Sequence, residues 1–369
     1  MKILDKYIIR SLLSTFFFVV LILLAVIVVI DLTEKMDKFA KAGVTAAQVT
    51  HYYLDYMAWI GSFITPITMF IATVYVCSKM AGHSEVVAAL SSGLSFRRFL
   101  LPFLAGAAFI GSISFIMNGW IIPKSNRSRL EFEVQYIRNK YYFDKRNIHI
   151  QVAPNIYLYM QSYNNNTNTG YHFSIERFQD NRLVEKLTAN RIEWDSVKQK
   201  WRLRDYKIRR IDRVFETTSH PNLSEAPDSL TKGASMDTAL VIHPKEFESD
   251  YRKYDGMTMK ELNRYIKTLK ARGTTGVEVY EVEKYTRYSA PFSILILVFM
   301  GVIVSSRKSR GGTGLQIALG FVLSFIFILF FTLFRTFAEA GSTPPELSVW
   351  IPNIIFALIS LGMYKYVPR

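Results

Sequence analysis

Few side chains in this 369-residue chain are spaced for chemistry. The run Arg310-Gly311-Gly312-Thr313-Gly314 has the glycines of a phosphate-binding loop. It lacks the Gly-Lys-Ser/Thr ending that sets a lysine on a nucleotide's phosphates, so ATP hydrolysis cannot be assigned to this chain. His51, His83, His149, His172, His220 and His243 include no i, i+4 pair that would put two metal ligands on one helix face. The single cysteine, Cys77, allows neither an intrachain disulfide nor a thiolate metal site, and it reads as a small buried hydrophobe. No Gly-x-Ser-x-Gly nucleophile elbow is present. Acids or bases for a surface reaction would be Asp31, Glu34, Asp37, Glu339 and Glu346, all flanking apolar runs. A different chemistry, recognition, is written in Lys79 to Gly93. Ser84 to Ser92 suit a helix, Gly93 stops it, and Val86, Val87 and Leu90 share an apolar face at helical spacing. Such a helix either lies on lipid or docks in the groove of a soluble subunit.

The surrounding elements position these residues. Six stretches contain no Asp, Glu, Lys or Arg: Ser11 to Ile30, Tyr56 to Ser78, Phe99 to Pro123, Tyr288 to Ser306, Gly311 to Phe334 and Leu347 to Tyr364. A helix needs about 20 residues to cross a bilayer core of ~30 Å, so each is long enough to span, and a soluble enzyme is excluded. The first stretch follows Lys2, Lys6 and Arg10 as a signal peptide would, but its 20 residues and missing small-residue cleavage site predict an uncleaved membrane helix. Basic residues favour the cytoplasmic side. Lys2, Lys6, Arg10, Lys79, Arg97, Arg98, Arg307, Lys308, Arg310, Lys365 and Arg369 fall on one side, against Lys35, Lys38 and Lys41 in the short loops opposite. Both termini are therefore expected inside and the hydrophilic segment from Lys124 to about Lys284 outside. The net charge of +15 is shared between the spans and that outer segment, which argues against nucleic acid as a partner.

Within the outer segment the period changes to two. Ile148, Ile150 and Val152 share one strand face, and Ile156 to Met160 alternates aliphatic residues with Tyr157 and Tyr159. Asn164 to Gly170 is a turn; Tyr171 to Phe178, Leu183 to Thr188, Arg191 to Trp194 and Trp201 to Phe215 are further strands. An antiparallel sandwich or jelly roll follows. Ser219 to Ser235 reads as a loose connection, Thr258 with Glu261 opens a helix over Met259 to Ala271 that stops at Gly273, and Val277 to Tyr288 leads into the fourth span. The layout is 1–123 for three spans with a cytoplasmic helix at about 82–93, 124–256 for the β domain, 257–284 for a helical connector and 285–369 for three more spans.

Several segments together resemble one family. They are Leu4-Asp5-Lys6-Tyr7-Ile8, Lys41-Ala42-Gly43, Ser84-Glu85-Val86-Val87-Ala88 to Ser92-Gly93, Glu261-Leu262 to Tyr265-Ile266, Tyr280-Glu281-Val282-Glu283 to Pro291-Phe292, and Gly341 with Pro344-Pro345. In this order, over nearly the whole chain, they are similar to the LptF/LptG permeases of lipopolysaccharide export. The resemblance implies six transmembrane helices, three plus three, with an inserted periplasmic β jelly roll in the bacterial inner membrane. It implies a non-catalytic permease without cofactor or metal, which takes lipopolysaccharide from the membrane and passes it to a periplasmic bridge. The implied partners are an LptB-like ATPase dimer, a paired LptF/LptG-like permease and an LptC-like bridge protein. Ser84, Glu85, Val86, Val87, Leu90 and Gly93 match the family's ATPase-coupling helix. Lys35, Lys38, Lys41 and Arg335, near the outer ends of spans one and five, are the candidates for substrate phosphate. Asp31 stands where family members often carry a basic residue, which shifts the phosphate contacts toward Lys35 or the partner permease. An acyl-chain groove in the β domain would use Ile148, Ile150, Tyr157 and Tyr159. The alternatives are a membrane enzyme modifying a lipid or glycan at the periplasmic surface, and a non-transporting envelope tether.

Overall fold

The structure, a computed structural model, describes residues 3–137, 146–210, 229–240, 242–244, 252–272, 276–306 and 312–365. They form two units, one helical and one built on a β-sheet.

The helical unit contains α1 (Ile3–Ala42), α2 (Ala46–Gly82), the short α3 (Glu85–Ser91), α4 (Phe96–Ile116) and α5 (Ile122–Phe132), then, beyond the sheet, α7 (Val277–Ser305), α8 (Gly312–Glu339) and α9 (Pro345–Tyr364). α4 and α5 are one long helix interrupted by a π turn at Met117–Ile121, and a second π turn carries it to Ile137, well past the Pro123 end of the apolar run. Six helices are thus long and apolar enough to cross a membrane. Helices suit that role because every backbone group is paired within its own segment.

Local sequence sets the ends. Gly43, at φ 65°, adopts the left-handed conformation that ends α1, and the Val44 amide donates back to the Phe39 carbonyl at 3.2 Å. Two residues later Thr45 and Gln48 form a reciprocal capping box that starts α2.

Tertiary contacts fix the direction of each helix. Arg98 pairs with Asp5 at 2.6 Å and Arg97 donates to Tyr364, so the start of α1, the start of α4 and the end of α9 meet. The terminal end of the bundle is therefore where α3 sits. At the other end, where the chain leaves for and returns from the sheet, Tyr52 of α2 donates to Glu133, and Arg335 of α8 reaches Glu283 of α7. Helix α7 lies at the centre, burying Ile294, Leu297, Val298, Met300 and Val302 against Met69 and Phe70 of α2 and Phe99 and Phe103 of α4. Cys77 is in this core, with Sγ 3.7 Å from the Val302 carbonyl. By contrast, only 6% of the apolar window of α1 is buried, against 50% for α2, so α1 presents its flank to lipid or to another chain.

The second unit is a six-stranded antiparallel sheet in sequence order: β1 (Arg146–Ala153), β2 (Ile156–Asn164), β3 (Thr169–Gln179), β4 (Arg182–Asp195), β5 (Lys200–Arg210) and β6 (Ser229–Thr238). Among the described strands there is one sheet and no crossover. Two expectations change. The two segments at Leu183 and Arg191 are one strand, β4, because both pair continuously with β3 and β5. Residues 229–235, expected in the loose connection, belong to β6; ten weakly β-forming residues are held by antiparallel pairing to β5. The rest of that connection and residues 211–215 lie outside the described residues, as does Gly273.

One face of the sheet is apolar in transverse rows. Ile150, Leu158, Ile175, Leu187 and Ile208 face one another in register, as do Ile148, Met160, Phe173, Ala189 and Tyr206. Gln161, His172, Asn190 and Asp205 lie opposite one another without a shift of register, and there each strand turns two successive side chains away from the apolar face before Tyr163, Gly170, Ile192 and Leu203 rejoin it. His172 and Asp205 have positive φ, 49° and 51°. This line of irregularity changes the alternation of all four strands together and so keeps the apolar face continuous, while bulges that shift the register fall between Gln151 and Ala153 and between Arg177 and Phe178. Helix α6 (Met259–Ala271) follows, buries Met259, Leu262 and Ile266, and starts where Thr258 N donates to Glu261 at 2.9 Å.

Candidate functional site

The end of the bundle opposite the chain termini concentrates charge at the edge of the apolar runs. Asp31 on α1 pairs with Lys35 one turn later at 2.8 Å and accepts from Tyr53 at 3.0 Å. Lys35 donates to the Tyr52 hydroxyl at 2.8 Å, and Tyr52 passes the contact on to Glu133, which holds Arg129. Phe39, Tyr52, Tyr53 and Phe132 pack around these polar groups. Arg129 and Arg252 both stack on the Trp59 ring, at 4.4 and 4.6 Å from its centroid.

Beside this network lies a cavity of about 160 Å³. Its apolar wall includes Phe63, Pro66 and Ile67 of α2 with Phe327, Ile328 and Phe331 of α8. Its polar wall is Arg252, Asp255, Glu283, Arg287 and Arg335, three guanidiniums to two carboxylates. Arg287 is almost wholly buried; it donates to Glu283 at 2.9 Å and to the carbonyls of Met257 (2.6 Å) and Tyr254 (2.9 Å). That clamp fixes the short 3₁₀ turn Lys253–Gly256 on α7. Arg335 bridges Glu339 at 2.7 Å and Glu283 at 3.3 Å. Asp255 has its carboxyl pushed up, first by burial and then by the charge of Glu283, and Arg252 at 2.8 Å opposes the shift. Thr286, which lines the cavity, has a hydroxyl without a hydrogen-bond partner among the described residues. An apolar slot under a net cationic rim suits an amphipathic ligand with an anionic head.

The phosphate candidates are distributed unequally. Arg335 lines the cavity, whereas Lys35 is engaged with Asp31 and Tyr52. Lys38 and Lys41 are exposed on the last turns of α1. Among the carboxylates weighed for catalysis, Asp31, Glu339 and Glu346 are each held, the last by the Tyr285 hydroxyl. Arg287, Arg252 and Asp255 carry no motif in the sequence, and Glu283 stands there only within the family segment Tyr280 to Glu283. A usable signal existed: Glu283 and Arg287 are one turn apart immediately before the charge-free run at Tyr288.

Helix α3 is seven residues long, with Ser84 preceding it at φ 59° and Ser92 and Gly93 closing it. Its expected single apolar face is split. Val86 is buried in the bundle core and Leu90 packs beside it, while Val87 is 57% exposed. Seven residues make two turns, so a side chain one position from Val86 points about 100° away. Glu85 is partly buried; Ser84 and Gly93 are exposed.

In the sheet, Ile148 and Ile150 face Met160 and Leu158, whereas Tyr159 and Tyr157 face His149 and Gln151. The four groove candidates therefore divide between opposite faces, since side chains alternate along a strand. Tyr157 is 43% exposed, and Tyr159 donates to Asn147. The apolar face instead adds Leu158, Met160, Phe173 and Trp201, whose indole donates to the Ile242 carbonyl at 2.8 Å.

Six apolar helices, a cationic rim over an apolar cavity and an inserted antiparallel β domain define a polytopic membrane protein of the transporter type. The chain matches the family model for the lipopolysaccharide export system permease LptF/LptG over residues 6–366, and it belongs to that family. It is accordingly a permease subunit of lipopolysaccharide transport. Comparison with curated proteins gave no match.

Proposed function

We propose that this chain is one of two paired permeases of an inner-membrane ABC exporter that extracts lipopolysaccharide and hands it to a periplasmic LptC-like bridge, powered by a cytoplasmic LptB-like ATPase dimer. The bundle end carrying the termini and α3 is the cytoplasmic one, by the distribution of basic residues. The cavity then lies at the outer headgroup level, where Arg335, with Lys38 and Lys41, meets substrate phosphate. Lys35 serves by orienting α1 through Asp31 and Tyr52. The six-stranded sheet is the described part of a jelly roll, and the rows through Ile148 and Ile150 form its acyl-chain surface. Leaving lipid costs about 0.8 kcal/mol per methylene, which a second apolar surface offsets. The weakly buried α1 is a natural site for the paired permease.

The observation that carries the coupling role is the geometry of α3. Val86 anchors the helix in the bundle and Val87 projects from it, an arrangement for transmitting movement between a docked subunit and the spans. Copurification of the ATPase with variants tests it. Val87→Asp is expected to reduce recovered ATPase at least about ten-fold while the thermal unfolding of the permease is unchanged. Val86→Asp should instead lower the yield of folded permease. Undiminished ATPase recovery with Val87→Asp would remove α3 from the coupling interface.

A further inference from the structure

The polar face of the sheet carries two kinds of register. Toward the β4–β5 turn, opposite charges face each other: Glu193 lies opposite Arg202, Asp195 opposite Lys200, and Arg202 opposite Asp237. Arg202 pairs with both Asp195 (2.9 Å) and Asp237 (3.0 Å), and Lys198 with Asp237 at 2.8 Å. Beside and beyond the line through His172 and Asp205, Glu176 still lies opposite Lys186, but like charges face each other as well. Arg191 faces Arg204, Lys207 faces Lys232, and Lys186 faces Arg209. Directly opposed side chains on neighbouring strands have their Cβ atoms about 5 Å apart, where like charges oppose sheet formation.

Most of these cations have an acid, but one pair does not. Lys186 has Glu176 at 2.7 Å, and Arg191 and Arg204 share the single carboxylate of Glu193 at 3.3 and 3.4 Å. Lys207 and Lys232, both exposed, have no carboxylate within ion-pair distance among the described residues. Solvation alone would not require two lysines in register without an acid between them. Two cations about 5 Å apart can, however, bracket one phosphate.

We propose that the Lys207–Lys232 pair binds the phosphate-bearing saccharide of lipopolysaccharide on the face of the β domain opposite its apolar rows. The inference rests on the lipopolysaccharide reading above and adds a second, head-group site to it. A phosphorylated saccharide fits better than a carboxylate surface because a phosphate monoester offers three oxygens to two cationic donors at once.

The test measures binding to the full-length protein in detergent. Three probes are used: a deacylated, phosphorylated oligosaccharide from lipopolysaccharide, the same molecule after phosphatase treatment, and short-chain phosphatidylglycerol. The wild type should bind the phosphorylated oligosaccharide at least about five-fold more tightly than either other probe at low salt, with the difference shrinking as salt rises. Lys232→Glu turns a like pair into an opposite one. It should lose at least about five-fold affinity for the phosphorylated probe while its unfolding temperature stays the same or rises. A residue kept for folding would show the reverse split. Equal binding of all probes, equal binding by wild type and Lys232→Glu, or preference for phosphatidylglycerol would overturn the proposal. Copurification of intact lipopolysaccharide in the same preparation reports on the transport reading separately.

Discussion

At the residue scale, the decisive side chains are those held by several partners at once. Arg287 satisfies Glu283 and two backbone carbonyls from almost complete burial. Its removal takes the donor from two carbonyls and leaves Glu283 to Arg335 alone, so Arg287→Leu should destabilise the protein by about 2–5 kcal/mol, read as a lowered thermal unfolding midpoint in detergent. Arg287→Lys should recover only part of this, because a compact ammonium cannot imitate the planar fork. Glu261 is the exposed counterpart. Arg127 first, then the Thr258 amide, hold its carboxyl at about 2. A depressed carboxyl stabilises the fold at pH values above the ordinary glutamate range and loses that contribution as pH falls through this range toward 2. With its side chain 46% exposed the contribution is screened to ~1 kcal/mol or less. The stability advantage of wild type over Glu261→Gln should therefore be full at pH 6 and shrink steadily between about pH 5 and pH 2 in denaturant titrations.

At the element scale, close approach governs the sheet. A Cβ on Gly170 of β3 would lie 2.2 Å from Met160 Sδ and 2.7 Å from Ile192 Cγ2. The methionine can swing aside, but the β-branched isoleucine is stiff, so Gly170→Ala should destabilise the β domain by about 1–3 kcal/mol. Faster limited proteolysis within residues 146–240, with the bundle still intact, is the measurable outcome. The same alternation that brings Gly170 inward separates Tyr157 and Tyr159 from Ile148 and Ile150. Strand periodicity was legible in the sequence; the pairing of β1 with β2, which decides whether two alternating strands point their aliphatic or aromatic sets the same way, was not. Likewise α3 was legible as a helix, but which of Val86 and Val87 is buried depends on the rotation imposed by its packing on α2 and α4.

At the scale of the whole molecule, the membrane and β units each offer an apolar surface for a lipid, and the sheet's surface can be tested directly. Photo-crosslinking residues placed at Ile148, Ile150 and Phe173 should yield lipopolysaccharide adducts in cells, in higher yield than those at Tyr157 and Tyr159. Adducts at the tyrosines alone would transfer the acyl surface to the other face of the sheet and displace the head-group site argued for Lys207 and Lys232.

The six spans, the change of period and the helix at Thr258 were readable in the chain itself, because hydrocarbon demands long charge-free runs and a half-buried strand demands alternation. These are one-dimensional requirements, and composition records them. The joining of Glu283 and Arg287 to Tyr254, Met257 and Arg335 was not readable, because those residues come from three distant segments and meet only when α7 is centred in the bundle. Strand β6 was hidden for a related reason: its weak intrinsic preference is overridden by hydrogen bonds to a partner strand. Charge and hydropathy along a chain specify what each segment tolerates, whereas the neighbours that satisfy its polar groups are chosen by packing in three dimensions.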